Sequence, residues 1–299
     1  MASNEQALPW TVRRLLEWTT GFFTRKQVDS PRLSAELLLG HVLNLPRIGL
    51  YTNYERLLGE DQLTDFRALV KRAGEHEPIA YLTGRAFFFN LELRVTRDVL
   101  IPRPDTETVV ENVLQWVRNT PGFEAARVLD VCTGSGCVAL AIAERLKSAT
   151  LTATDISPAA LAVARHNAER LGLGGRVVFA LGDLFEPLRT LPDAQPFNII
   201  TANPPYIASS HIAQLDRNVR DYEPHLALDG GPDGLDVVGR ILTDAPDRLT
   251  PGGRLFIEIA FDQGAPAKTL GEANPAYDDV RILKDYAGND RVLTVRKKS

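Results

Sequence analysis

From about residue 125 onward, short β-rich runs alternate with helical patterns, and this alternation restricts the chain to few architectures. Residues 127–132, 151–156, 177–182, 197–202 and 254–260 read as strands, with helical patterns over 138–146, 159–171 and 236–249. Strands joined by helices pair in parallel with helices on both faces, which predicts a doubly wound α/β sheet. Residues 280–285 and 291–296, separated by Gly288-Asn289-Asp290, predict an antiparallel hairpin at one end of it.

The front of the chain has a different texture. Val12, Leu15, Leu16 and Thr19 recur at helical spacing. Ser30 is expected to cap a helix that has Pro31 at its first position and Leu33, Leu37, Leu38 and Val42 as its apolar face. Leu63, Phe66, Leu69 and Val70 form a third such face, and Pro78 and Gly84 break the pattern. Residues 87–101 look extended, because Leu91, Leu93 and Val95 alternate with Glu92 and Arg94. Pro102 and Pro104 cannot lie inside a helix, so Asp105 or Thr106 is expected to cap a new one carrying Val109, Val110, Val113, Leu114 and Val117. The expected organisation is a small helical domain over 1–84, a hairpin and linker over 85–105, and the sheet domain over 106–299.

Composition narrows the function classes. At 44% hydrophobic and 24% charged over 299 residues, the chain is neither a disordered tail, a collagen-like fibre nor a disulfide-framed mini-protein. No apolar run approaches the roughly 20 residues that span a bilayer. Residues 1–6 have no basic stretch leading into an apolar core, so a cytoplasmic chain without a signal peptide is expected. Residues 1–105 hold 14 Lys and Arg against 13 Asp and Glu, and the remainder is acidic. Neither half has the basic excess of a nucleic-acid binder, so no direct nucleic-acid contact is expected. Cys132 and Cys137 and five dispersed histidines show no metal-ligand spacing, so neither a disulfide nor a metal is expected.

Residues 128–139 place an apolar strand before Cys132-Thr133-Gly134-Ser135-Gly136 and then a helix. The glycines permit a tight turn and close approach of a ligand to backbone, and the helix N-terminus favours electron-rich groups. Gly134, Gly136 and Ala139 also satisfy a dinucleotide fingerprint, and a plain strand-to-helix turn is the bland reading. Asp130, two residues before the turn, would sit poorly beside a pyrophosphate and suits a cationic ammonium such as the methionine end of S-adenosyl-L-methionine. Asp155, ending the next strand, can accept from both hydroxyls of a ribose or can simply cap a helix before Ser157-Pro158. Asp183 could accept from an adenine amino group beside the apolar Leu184 and Phe185, or be a surface turn residue. All three carboxylates fall where open α/β sheets bind ligands.

The strand over 197–202 runs into Asn203-Pro204-Pro205-Tyr206. Two prolines stiffen this turn and leave it rich in acceptors. The Asn203 side-chain oxygen and the Pro204 carbonyl could bind the two N–H bonds of a planar amide and aim its nitrogen at a methyl, with Tyr206 stacking on the flat face. That is catalysis by orientation, with no strong base required.

These motifs resemble the seven-strand, class I S-adenosyl-L-methionine-dependent methyltransferases that act on planar amide or amino nitrogens. Residues 30–39, 77–84, 101–107 and 285–291 are similar to segments of the HemK/PrmC family, the peptide chain release factor N5-glutamine methyltransferases. The resemblance implies methylation of the glutamine in the Gly-Gly-Gln loop of class I release factors by a monomeric enzyme whose front helices recognise the protein substrate. It implies cofactor contacts at Asp130, Cys132, Thr133, Gly134, Ser135, Gly136, Asp155, Asp183 and Leu184. It implies substrate contacts at Asn203, Pro204, Pro205 and Tyr206, with Asn203, Pro204 and Tyr206 catalytic. The family usually has glycine where Cys132 stands and often tryptophan where Leu184 stands.

Other readings remain open on the residues alone. The same tetrapeptide serves adenine-N6 methylation of DNA or RNA, which would need a basic channel for a flipped base. A glycine-loop cysteine also occurs in the sister group that methylates a glutamine of ribosomal protein L3, although the run Arg103 to Glu107 favours the release-factor branch. A nicotinamide oxidoreductase would conflict with Asp130, and a binding module without activity would keep the fold alone.

Overall fold

The computed structural model describes residues 9–123, 125–190 and 195–299, so residues 1–6, read above for a leader, lie outside the described residues. In chain order it begins with α1 (Val12–Lys26), α2 (Pro31–Leu43), α3 (Arg47–Thr52), α4 (Glu60–Gly74), α5 (Ile79–Thr83), β1 (Arg85–Phe88) and β2 (Leu91–Arg94). It continues with α6 (Glu107–Asn119), β3 (Arg127–Val131), α7 (Cys137–Arg145), β4 (Thr150–Asp155), α8 (Pro158–Arg170), β5 (Val177–Leu181) and β6 (Phe197–Ala202). It closes with α9 (Arg217–Arg220), α10 (Asp236–Asp244), β7 (Leu249–Glu258), α11 (Gly264–Ala273), β8 (Tyr277–Lys284) and β9 (Asp290–Lys297). No helix among the described residues is long and apolar enough to cross a membrane.

The chain forms two compact units, one of residues up to Gly84 with Arg217–Tyr222 and one of the rest. In the helical unit, Thr11 caps α1 by accepting from the Arg14 N–H at 3.3 Å. Val12, Leu15 and Leu16 of α1 pack with Leu63, Phe66 and Val70 of α4 as expected, with Thr19 buried; Leu69 is only partly buried, and Phe23 joins this core in addition. The face of α2 differs from expectation: Leu33 is exposed, Leu37 and Val42 are only partly buried, and Ala35, Leu38, Leu39 and Leu43 fill the core. The turn is set by Glu36, which is buried among Arg32, Arg47 and Tyr51. Ser30 does stand before Pro31, but at φ 44° its hydroxyl makes no cap. Pro78 and Gly84 break the helical pattern as expected, with the short α5 between them, which Gly84 closes at φ 70°.

The second unit is built on a seven-stranded sheet in the order β5-β4-β3-β6-β7-β9-β8. The first five strands of that order are parallel, and β9 and β8 add the antiparallel hairpin. Val128, Ile199 and Phe256 face a layer with α6 and α7, while Leu129, Ile200, Leu255 and Ile257 face one with α10 and α11. Full burial of each such side chain contributes roughly 1.5–3 kcal/mol. The order reverses between β3 and β6, the switch point where such sheets open a crevice. The β1–β2 hairpin turns on Phe89 and Asn90 at φ 49° and 66°, the conformation of a type I′ turn. Asn167 of α8 binds both this hairpin, through Arg94, and the glycine turn, through the Ser135 carbonyl.

Two boundaries differ from the periodicity. The helix expected over 236–249 ends at Asp244, because Pro246 follows and β7 begins at Leu249. The apolar periodicity does not mark α11, because Gly264–Ala273 is Ala- and Gly-rich and shows no apolar stripe.

Candidate active site

The carboxyl ends of β3, β4 and β6, with the residues following β5, open into one pocket of about 1230 Å³, its mouth included. Cys132, Thr133, Gly134, Ser135, Asp155, Asp183, Leu184, Asn203 and Pro205 all line it. Asp130, Gly136, Pro204 and Tyr206 are not on its wall.

The glycine turn is shaped by three left-handed residues, Cys132 at φ 57°, Gly134 at 55° and Gly136 at 81°. A Cβ on Gly134 would meet nothing within 4 Å, so its bare backbone borders open space. A Cβ on Gly136 would press on Leu140 and Ala164 at 3.1 and 3.3 Å, so that glycine serves packing at the start of α7. Cys132 carries a side chain in a region that strains L-residues by roughly 1–2 kcal/mol. The glycine usual at this position in the resembled family is thereby explained. Both cysteines are free thiols, and burial pushes both up.

Asp130 lies beneath the turn. It is 1% exposed, and its carboxylate accepts from the Thr133 and Thr201 hydroxyls at 2.6 and 2.7 Å. Burial, opposed by these hydrogen bonds, pushes it up to about 6. It joins β3, the turn and β6 from below and is not on the pocket wall, so direct contact with a ligand ammonium is not what this geometry provides.

Asp155 does face the pocket. Its Oδ2 accepts from the Gly134 N–H at 2.8 Å and its Oδ1 from the Ser157 N–H at 2.9 Å. The helix cap is Ser157, whose Oγ accepts from the Ala160 N–H at 3.1 Å. Burial pushes the Asp155 carboxyl up. Its neighbour Ile156 lines the same wall and is half exposed. Asp183 accepts from Arg240, and Leu184 is buried at φ 46°.

Asn203 donates through Nδ2 to Thr106 Oγ1 at 3.2 Å, which leaves Oδ1 as the acceptor of this pocket-lining side chain. Thr106 occupies the position before α6 but does not cap it, since its hydroxyl is engaged here instead. Tyr206 turns away from the pocket and donates to Glu258 Oε1 at 3.0 Å. Glu258 is fully buried, and burial pushes it up to about 7. Gln263 donates to the Tyr206 carbonyl at 2.9 Å and steadies the turn from behind.

Thr106, Glu258, Gln263 and Arg240 were not legible as site residues. For Glu258 a signal existed: a lone glutamate ends the apolar run Leu255–Ile257 in a buried strand. The others are brought in by packing.

Comparison with known proteins bears on the family and the fold. Residues 14–84 match a family model described as PrmC N-terminal domain, and residues 123–272 one described as methyltransferase domain. The chain is 44% identical to a release factor glutamine methyltransferase of Rhodopirellula baltica, over 99% of this chain and 100% of that one. It is 45% identical to one from Moorella thermoacetica, over 98% of each. Among solved structures, a methyltransferase from Pyrococcus furiosus shares the fold, with a TM-score of 0.50 and 20% identity over 79% of this chain and 100% of that one.

Proposed function

Because this chain belongs to the release factor glutamine methyltransferase family, we propose that it moves the methyl group of S-adenosyl-L-methionine to the side-chain amide nitrogen, N5, of the glutamine in the Gly-Gly-Gln loop of class I release factors. The chain is a release factor glutamine methyltransferase; the Gly-Gly-Gln loop is what the family resemblance implies, and the donor and residue roles are argued from the site. The observation that carries them is the Asn203 amide, whose nitrogen is held by Thr106 so that its oxygen is the atom offered at the pocket.

The pocket fits the donor. Gly134 gives a ligand access to backbone, the Asp155 carboxylate stands ready for ribose hydroxyls, and Ile156 and Leu184 offer apolar contact to a flat base. Asp183 adds an acceptor, held in place by Arg240. Asp130 supports the turn from below and does not take the ammonium itself.

When bound, the donor supplies a sulfonium methyl that is already electrophilic. The chain's task is orientation, because an amide nitrogen is a weak nucleophile with its lone pair delocalised. Asn203 Oδ1 accepts an N–H bond of the glutamine amide and aims its nitrogen, while Pro204, which is not on the pocket wall, stiffens the turn behind it. Pro205 walls the site, and Tyr206 holds the turn through Glu258. The helical unit recognises the release factor, and the enzyme acts as a cytoplasmic monomer without nucleic acid or membrane. Incubation with labelled S-adenosyl-L-methionine and intact release factor tests this: one methyl group on the Gly-Gly-Gln peptide by mass spectrometry is expected. Label on DNA, RNA or ribosomal protein L3, with none on the release factor, would overturn it.

A further inference from the structure

We propose that Leu226 is a specificity-determining contact for the peptide that carries the acceptor glutamine, held in place by a latch from Glu223 to the linker before α6. The inference rests on the functional reading above and deepens it.

Glu223 is 6% exposed, and both of its carboxylate oxygens are engaged. Oε2 accepts from the Ile101 N–H at 3.1 Å, and Oε1 accepts from the Arg103 guanidinium. A carboxylate withdrawn from water must be paired and hydrogen-bonded, so these partners are costly to lose. Leu100 and Pro102, on either side of Ile101, line the pocket, and so does Pro224, which follows Glu223. One side chain thus joins two walls that lie 122 residues apart in the chain.

Both walls are also tied to the turn that carries Asn203. On the linker side, Asn203 Nδ2 donates to Thr106 Oγ1 at 3.2 Å. On the other side, the Ile207 N–H donates to the Leu228 carbonyl at 3.0 Å, and the Gly230 N–H to the Ile207 carbonyl at 2.9 Å. A Cβ on Gly230 would lie 2.7 Å from the Pro205 carbonyl oxygen and 2.8 Å from the Tyr206 Cα. Only glycine lets the loop close on this turn so tightly. Asp229 fixes the far end of the loop by accepting from the Ser209 hydroxyl at 2.6 Å and the Gly231 N–H at 3.0 Å.

Between these anchors, His225–Ala227 form one short 3-10 turn after Pro224. Leu226 lies at its centre, lines the pocket and is 59% exposed. Among the described residues, Ile156 is the other large apolar side chain of this wall that is exposed. Ile156 follows Asp155 and serves the donor's base in the reading above. Leu226, on the loop closed against the Asn203 turn, is left for the acceptor. An exposed leucine adds little to the fold, whereas covering it with an incoming peptide is favourable. Its backbone is pinned beforehand at Glu223 and Asp229, so little ordering entropy is lost when the peptide arrives.

The test is steady-state methylation of intact release factor by the full chain, with calorimetry of S-adenosyl-L-methionine binding. The variants are Leu226→Ala, Leu226→Met, Glu223→Gln and the double variant Glu223→Gln with Leu226→Ala. Leu226→Ala is expected to raise KM for release factor at least about fivefold, with kcat and cofactor Kd within about twofold. Leu226→Met, which keeps an apolar side chain of similar length, should restore most of the affinity. Glu223→Gln should raise KM in the same direction, because an amide has one acceptor oxygen where the carboxylate uses two. Since Glu223 acts by holding Leu226, the rise in the double variant should fall well short of the product of the single rises. If Glu223→Gln misfolds by circular dichroism, the Leu226 pair decides alone. A KM for Leu226→Ala within about twofold of wild type, an equal loss in Leu226→Met, or rises that multiply in the double variant would overturn the inference. A wild-type chain inactive on release factor would sink the functional reading itself and this inference with it.

Discussion

The Gly134 N–H donates to Asp155 Oδ2 at 2.8 Å, tying the end of β4 to the glycine turn that follows β3. One carboxylate thus shapes the backbone that borders the pocket and lines the pocket itself. The two jobs do not separate, and that makes Asp155 the most informative position for cofactor binding.

Asp155→Ala should raise the Kd for S-adenosyl-L-methionine by about 10- to 100-fold, since hydrogen bonds to a charged group contribute roughly 1.5–3 kcal/mol. Thermal stability of the free chain should fall less. Affinity in the wild type should also weaken as the pH drops into the carboxylate range, because burial raises Asp155 and only its ionised form accepts fully. Calorimetry at pH 5 and pH 8 checks both statements. An unchanged Kd in Asp155→Ala would remove Asp155 from the cofactor site.

Cys132 offers a test of backbone strain. At φ 57° it sits where glycine is free and a β-branched residue is penalised. Cys132→Gly should keep or raise the melting temperature, because strain relief of roughly 1–2 kcal/mol offsets the added chain entropy of roughly 0.5–1 kcal/mol. Cys132→Val should melt several degrees lower. Differential scanning calorimetry of the two variants side by side decides it, and equal melting temperatures would mean that the turn relaxes.

In the helical unit, Glu36 is the acidic centre of a cluster with Arg32, Arg47 and Tyr51. Burial pushes its carboxyl up, but the hydrogen bonds from Tyr51, Arg47 and Arg32 outweigh this and leave it below the usual range. A depressed folded value contributes stability that is present above the unfolded value near 4.3 and is lost as pH falls through the folded one. Glu36→Gln should therefore destabilise the chain by about 1–3 kcal/mol at pH 7, less than a fully buried pair because both arginines are partly exposed to water. The difference from wild type should shrink below pH 4. Chemical denaturation at pH 7 and pH 3.5 measures it, and a difference independent of pH would contradict the assignment.

What could be read from residues and what could not divide along physical lines. The sheet was legible because buried parallel strands are apolar throughout and their helices punctuate them, so Val128–Val131 and Phe197–Ala202 announce themselves. Cys132 to Ser135, Asp155, Asp183, Leu184 and Asn203 were legible because turns at strand ends must face the crevice. The surroundings of Asp130 were not legible because position along a strand does not tell which hydroxyls close over a carboxylate; Thr201 reaches it from β6, 71 residues away. The face of α2 was not legible because Glu36, polar by type, is buried by Arg47 from another turn of chain. Glu258 reaches the site only through tertiary pairing: β7 aligns it beyond Ile257, which pairs with Ala202 just before the Asn-Pro-Pro-Tyr turn.

Asn203 is proposed to act by orienting the substrate amide. The most direct measurement is the single-turnover rate of Asn203→Ala on intact release factor, with S-adenosyl-L-methionine affinity measured on the same preparation. Orientation by Asn203 predicts a rate at least about 100-fold lower with cofactor Kd within about threefold, the pattern of an interaction needed in the transition state. A rate within about threefold of wild type would contradict it.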